Sequence, residues 1–383
     1  MNSANYEEIV NTTTTVGTNG GSSYYGTYDQ CGNVYEWTEG NGPNVINKNT
    51  TLKTKSARGG RYLGRNGDLG LKADYVHHFP PEQKGLAVGF RLCSQGLGDV
   101  ETDGLLIKNP FSNPLNFSSF VLVTDIGNKP DTLEPVGRRY KNGNPEIELE
   151  INTNRLGSVD YDYLIQKYPT TVEEYCEFLN AIAAEDTYGV FAQAYISGKD
   201  PVIERIEASA YRPIKSKARK PISRASWYDA ARFVNWLCNG KPLGKQNKNT
   251  TEDGAYTLSG IVRPQNNTNI KRNIINPNTG LPPTYWLPSE NEWHKAAYYK
   301  GGSTDAGYWT FATQSDISPL SCTQDVFDNG SAASPVPYHE HDIRDIKNSG
   351  GKTVSIKFTD NEFNKIVLKF KDGLLINDSE TRD

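Results

Sequence analysis

The chain is poor in the residues that metal and redox chemistry favour: among 383 residues there are 5 Cys, 5 His and a single Met. Cys31, Cys93, Cys176, Cys238 and Cys322 are odd in number, widely spaced and free of any C-x-x-C pair. That pattern is neither a zinc site nor a disulfide framework, and Cys176 and Cys238, within helical apolar patterns, read as small core residues. No apolar run approaches the roughly 20 residues a membrane span requires. The start, Met1-Asn2-Ser3-Ala4-Asn5, has neither the basic residues nor the apolar stretch of a signal peptide, so the chain is expected in the cytoplasm, with no membrane partner. A net charge of −4 argues against nucleic acid as partner. The basic cluster from Arg212 to Arg224 reads as a solvated loop.

What is abundant is turn residues and rings, with 35 Gly, 21 Pro, 22 Tyr, 13 Phe and 6 Trp. This composition suits an α+β protein of many short elements whose interior is built from aromatics packed between loops. The stretch Tyr24 to Trp37 concentrates that character. In a strand, Asn33, Tyr35 and Trp37 would face one way and Val34 and Glu36 the other. A carboxylate on the face of a buried valine needs a partner, because its burial alone costs several kcal/mol. Asp29 repels Glu36, so a cation between them would serve both; the plain alternative is an exposed acidic turn beside an aromatic anchor.

Three ordered motifs, Gly32-Asn33-Val34-Tyr35-Glu36-Trp37, Ala57-Arg58-Gly59-Gly60-Arg61-Tyr62 and Gly89-Phe90-Arg91-Leu92, resemble the C-terminal half of the formylglycine-generating enzyme, or sulfatase-modifying factor, family, whose pattern is G-N-V-W-E-W, R-G-G-S-W, G-F-R. The resemblance implies a variant of the C-type lectin fold, irregular, with few short helices and strands. It also implies a structural calcium ion held by the Asp29 and Glu36 side chains and the Gly32 and Val34 carbonyls. Arg58 and Arg91 read as buried forks that satisfy loop carbonyls and carboxylates.

Further along, Tyr168-Pro169-Thr170-Thr171 leads into an amphipathic helix capped by Thr171, with Tyr175, Phe178, Leu179 and Ile182 on one stripe. Ser226 caps a second helix with Ala230, Phe233, Val234 and Leu237 inward. Ser289 caps a third, with Glu292 in the capping-box position. These segments resemble the N-terminal half of the same family, with Pro169 standing where the family usually has Glu. Residues 240–285 read as a long polar loop.

The halves therefore occur in circularly permuted order: residues 1–95 as the C-terminal half, 96–105 as linker, 106–335 as the N-terminal half. Either one chain closes on itself, or neighbouring chains complete each other and self-associate. Residues 336–383, containing His339-Glu340-His341 and two alternating segments, read as a β-hairpin appendage of unknown role.

The family's oxidase chemistry needs two cysteines between the second and third motifs. That stretch contains none, and the equivalent places fall near Asp68 and Ala73, so no copper is expected. The resemblance then implies a non-catalytic module binding a protein or small-molecule ligand, as in the variable proteins of diversity-generating retroelements. Its binding face would hold Tyr62, Arg65, Asn66, Asp68, Lys72, Asp74, Tyr75, His77 and His78. The alternative is a metal-dependent oxidoreductase of the formylglycine-generating or ergothioneine-type oxygenase family acting with other ligands; His77-His78, read as loop next to Pro80-Pro81, is a weak candidate for holding a metal, because adjacent histidines do not readily chelate one ion.

Overall fold

Two indoles far apart in sequence hold each other's backbone: Trp37 Nε1 donates to the Ala225 carbonyl at 2.9 Å and Trp227 Nε1 to the Thr38 carbonyl at 3.0 Å. The computed structural model describes residues 2–47, 50–63, 67–95, 100–102, 105–107, 120–132, 136–140, 147–151, 155–197, 200–207, 210–263, 269–322, 353–359, 365–371 and 374–376. The chain divides into two compact units, residues 1–336 and 337–383.

Among its described residues the first unit is α+β, with mostly short strands in mixed sheets and three α-helices of 9 to 12 residues. Its largest sheet has the order Ile147–Ile151, Val136–Tyr140, Tyr75–Phe79, Thr50–Arg58, Tyr35–Asn47, Val88–Gly89. A four-stranded sheet runs Tyr285–Trp286, Cys93–Ser94, Tyr163–Gln166, Phe120–Val123. In the second sheet Cys93–Ser94 is flanked on both sides by strands from later in the chain. Ser3–Ala4 also pairs, in parallel, with Leu320–Ser321. Every sheet contact of this kind joins the 1–95 segment to the segment beyond 120.

The helices form where the caps and stripes predict. In α1 (Val172–Ile182), Thr171 Oγ1 accepts from the Glu174 amide while the Glu174 carboxylate accepts from the Thr171 amide. In α2 (Trp227–Cys238), Ser226 and Asp229 do the same; in α3 (Glu290–Tyr298), Ser289 and Glu292. Such boxes satisfy donors that would otherwise be orphaned at the helix start. The α1 stripe of Tyr175, Phe178, Leu179 and Ile182 is buried as its spacing requires.

Helix α2 departs from expectation, being buried on every face. The segment 240–285, expected as loop, covers its polar side. Arg232 makes a two-pronged pair with Glu252 at 2.7 and 3.0 Å, and the Asn235 amide donates to the Thr251 and Tyr256 carbonyls. Phe90 packs edge-on against Phe233 of this helix with ring centroids 5.4 Å apart. One core cluster thus contains Trp37, Phe90, Leu92 and Cys93 together with Phe178, Phe233, Trp236 and Trp286.

In the second unit, Thr353–Thr359 pairs antiparallel with Lys365–Lys371, and a third strand, Leu374–Ile376, adds to that pair. Residues His339, Glu340 and His341 lie outside the described residues. No helix among the described residues is long and apolar enough to cross a membrane.

Candidate functional site

Glu36 sits within the first of the three motifs. It is fully buried. Its Oε2 accepts from Arg91 Nε at 2.5 Å and from Trp293 Nε1 at 2.7 Å, and its Oε1 accepts from Arg91 Nη2 at 2.7 Å. Arg91 spends its other donors on the carbonyls of Tyr28, Gln166 and Lys167. Seven residues before Glu36, Asp29 accepts from the Gly17 amide at 2.6 Å and from the Asn33 side chain at 3.4 Å.

The burial of Glu36 is thus answered by a guanidinium. Three of its roughly four acceptor positions are taken by these charge-assisted bonds, which leaves one on Oε1. Of the Asp29, Gly32, Val34 and Glu36 set, the Glu36 carboxylate is thus already neutralised by Arg91. Asp29 is left without a charge partner of its own, and burial pushes its carboxyl up to about 7 against the Gly17 bond and the pull of Arg91.

Arg58, from the second motif, is also a fork. Its Nε meets Glu290 Oε1 at 3.2 Å and its Nη1 donates to the carbonyls of Ala73 and Tyr75. It therefore fixes both ends of the chain between the Gly67–Leu71 3₁₀ turn and the Tyr75–Phe79 strand. The segment it supports is the expected binding face. Tyr62 and Tyr75 are buried there, part of the frame. Asp68 and Lys72 stand half-exposed on the turn with 3.9 Å between their charged atoms, and Asp74 is part-buried.

The adjacent histidines do not converge, because both lie in a strand and point to opposite faces. His77 packs on Phe79 with ring centroids 4.0 Å apart and has Nδ1 3.3 Å from the Tyr75 hydroxyl. His78 lies across the strand, Nδ1 3.3 Å from Ser56 Oγ, and burial lowers it to about 4 despite Glu290 nearby. Gly42 makes room for it, since a Cβ there would come within 2.2 Å of His78 Nδ1. Arg65 and Asn66 lie outside the described residues. The segment is therefore a two-faced strand with a polar turn, and only the turn and His77 share the side expected for binding.

At the two places where a cysteine pair would fall, Asp68 is on the 3₁₀ turn and Ala73 is fully buried in a cluster with Leu71, Trp293, Tyr298 and Phe311. All five cysteines are buried and free. Burial pushes the Cys31, Cys176 and Cys238 thiols up to about 12, and Cys93 also upward. Among the described residues no three His, Cys, Asp or Glu side chains gather as a metal site.

Two features were missed in the sequence. The Tyr256 hydroxyl donates to Glu39 at 2.7 Å, while the buried Lys55 donates to the Glu39 carbonyl at 3.0 Å and lies 4.4 Å over the Trp227 ring. Their spacing on a bulged strand pair gave no signal. The other is an open groove of about 900 Å³ bounded by residues 15–18 and 214–219; the basic cluster at 212–224 was its signal.

A family model, the sulfatase-modifying factor enzyme 1-like domain, matches residues 138–340, just over half the chain. The three motifs in residues 32–92 lie ahead of that span. No curated protein and no solved structure matches the chain.

Proposed function

This chain belongs to the sulfatase-modifying factor enzyme 1-like family, and from that premise we propose that it is a non-catalytic binding module that no longer makes formylglycine. One observation carries the reading. The stretch between the second and third motifs has no cysteine, and one of the two equivalent places is a buried alanine, Ala73, with no route to a substrate thiol. The five cysteines elsewhere are buried, and burial raises the thiols of Cys31, Cys93, Cys176 and Cys238, so these four lack the thiolate character that exchange with a substrate and binding of copper both demand.

What supports binding is the division between frame and turn. Arg58, Arg91, Tyr62 and Tyr75 are buried and bonded, while Asp68, Lys72 and His77 stand partly open on top of them. A rigid support carrying tolerant positions is the physical arrangement of a display surface. We also read residues 1–95 as completing, in permuted order, the domain whose other part the family model covers, because sheet and core partners of the early motifs come from beyond residue 120.

The test is direct. A cysteine-bearing sulfatase-type peptide, incubated with the purified full chain, copper(I) and oxygen, should keep its thiol by mass spectrometry. Conversion to the aldehyde above a protein-free control would overturn the non-catalytic reading. For the display surface, combined substitution of Asp68, Lys72 and His77 should shift the melting temperature by no more than the few degrees that about 1 kcal/mol represents.

A further inference from the structure

The groove bounded by residues 15–18 and 214–219 has a built rim, a charge of one sign and an apolar wall, none of which the 62–88 segment uses. Its first rim is a tight turn: the Thr15 carbonyl accepts from the Thr18 amide at 3.3 Å and from Thr18 Oγ1 at 2.7 Å. Gly17 must be glycine there, at φ +75 and with a Cβ position only 2.4 Å from the Tyr168 ring. The Gly17 amide is held by the buried Asp29 carboxyl, and the Val16 amide donates to the Arg219 carbonyl at 2.9 Å. The rim is thus tied to both the motif frame and the opposite wall.

That opposite wall carries Lys215 and Arg219, both exposed and neither with a carboxylate partner among the described residues. The one carboxylate lining the groove, Glu204, is already bridged by Arg212 at 2.6 Å. The groove is therefore positive in a chain whose net charge is −4. A concave wall of one sign concentrates ligands of the other. Between the cations and the turn lie the Tyr168 ring and Ile214, both only part-buried. Tyr168 is held in place by Tyr28, with ring centroids 5.6 Å apart.

We propose that this groove binds an extended acidic peptide segment in which aliphatic or aromatic side chains alternate with Asp or Glu. A volume of about 900 Å³ is far larger than one phosphate or carboxylate, and lies at the upper end of the roughly 300–1,000 Å³ typical of ligand sites. Two cations four residues apart along one wall meet successive acidic side chains. Tyr168 and Ile214 meet the apolar side chains between them, which a bare polyanion lacks. The binding surplus comes from these apolar contacts, and the cations supply register and rate.

The experiment uses the full chain and short fluorescent peptides alternating Glu or Asp with Phe and Leu, followed by anisotropy. Saturable binding should weaken about tenfold or more in Lys215→Glu/Arg219→Glu. It should also weaken as salt rises from about 50 to about 300 mM. Ser216→Trp, which fills the groove without touching its charge, should weaken it too, while Lys129→Glu, at an exposed ion pair with Asp305, should not. Melting curves confirm that each variant is folded. Equal affinity for a peptide with Lys or Gln in place of the acids, tighter binding of a single-stranded oligonucleotide than of the peptide, no saturation at millimolar peptide, or indifference to both groove variants would each overturn the proposal.

Discussion

Glu36 and Arg91 are both fully shielded from water, so the free energy of each depends on the other. A buried ion pair adds little net stability over a well-packed apolar pair, yet removing one partner strands the other charge at about 3–5 kcal/mol. Arg91→Met is therefore expected to lower the stability measured by urea unfolding by that amount. Arg91→Met/Glu36→Gln should recover part of it, a coupling that additive behaviour would not give. Because both Glu36 oxygens are already held, the metal-free protein should melt at the same temperature in excess chelator and in millimolar calcium. A rise of a few degrees with calcium would restore the ion to the Asp29 and Glu36 set. The need for a cation at Glu36 was legible in the sequence, as was Arg91 as a buried fork; that the two meet was not, since they lie 55 residues apart and only the fold brings them together.

Glu39 offers a second test on the same scale. Burial raises its carboxyl to about 7, opposed by Arg272 and the Tyr256 hydroxyl. With the folded value above the unfolded one, near 4, the folded state holds a proton that the unfolded state has lost between these values. Stability from this group is full below about pH 4 and is lost as pH rises toward 7. Glu39→Gln, which keeps an acceptor for Tyr256, should flatten the fall in melting temperature across that window; an unchanged slope would assign it to other groups, Asp29 first.

Among the elements, the three capped helices could be read directly, because Thr171, Ser226 and Ser289 each stand one residue before the helix with an acidic side chain three positions on. The segment 240–285 could not. Its polar, Asn-rich composition speaks for loop, and only the fold shows that the turn Lys248–Glu252 plugs the polar face of α2. The distinction is measurable. Substitutions in an ordinary surface loop stay within about 0.5 kcal/mol, whereas Glu252→Ala should cost about 3–5 kcal/mol because Arg232 is left buried and unpaired. The His77-His78 pair failed for a related reason: next to Pro80-Pro81 it reads as loop, and the strand pleat that separates the two rings comes from pairing with Lys55–Ala57.

At the scale of the whole first unit, chain order and spatial order disagree. The strand Ser3–Ala4 lies in parallel beside Leu320–Ser321, with the Leu320 amide donating to the Asn2 carbonyl and the Cys322 amide to the Ala4 carbonyl. The chain's start therefore lies next to residues 320–322, where a short link could join them. Joining them and opening the 96–105 segment gives a chain running 106–335 and then 2–95, with every strand partner and every core contact of the original available to it. Contacts being equal, the two orders differ only in which loops are closed, and loop-closure entropy changes by only about 0.6 kcal/mol per doubling of loop length. The reordered protein should thus show the same near-ultraviolet circular dichroism, a single cooperative transition, and a melting temperature within a few degrees of the original. Light scattering should report a monomer for both, since the reciprocal bonds of Trp37 and Trp227 already close within one chain. Two separable unfolding transitions in the original chain's first unit, or a dimer whose dissociation unfolds it, would mean that residues 1–95 and the segment beyond 120 are completed by different copies.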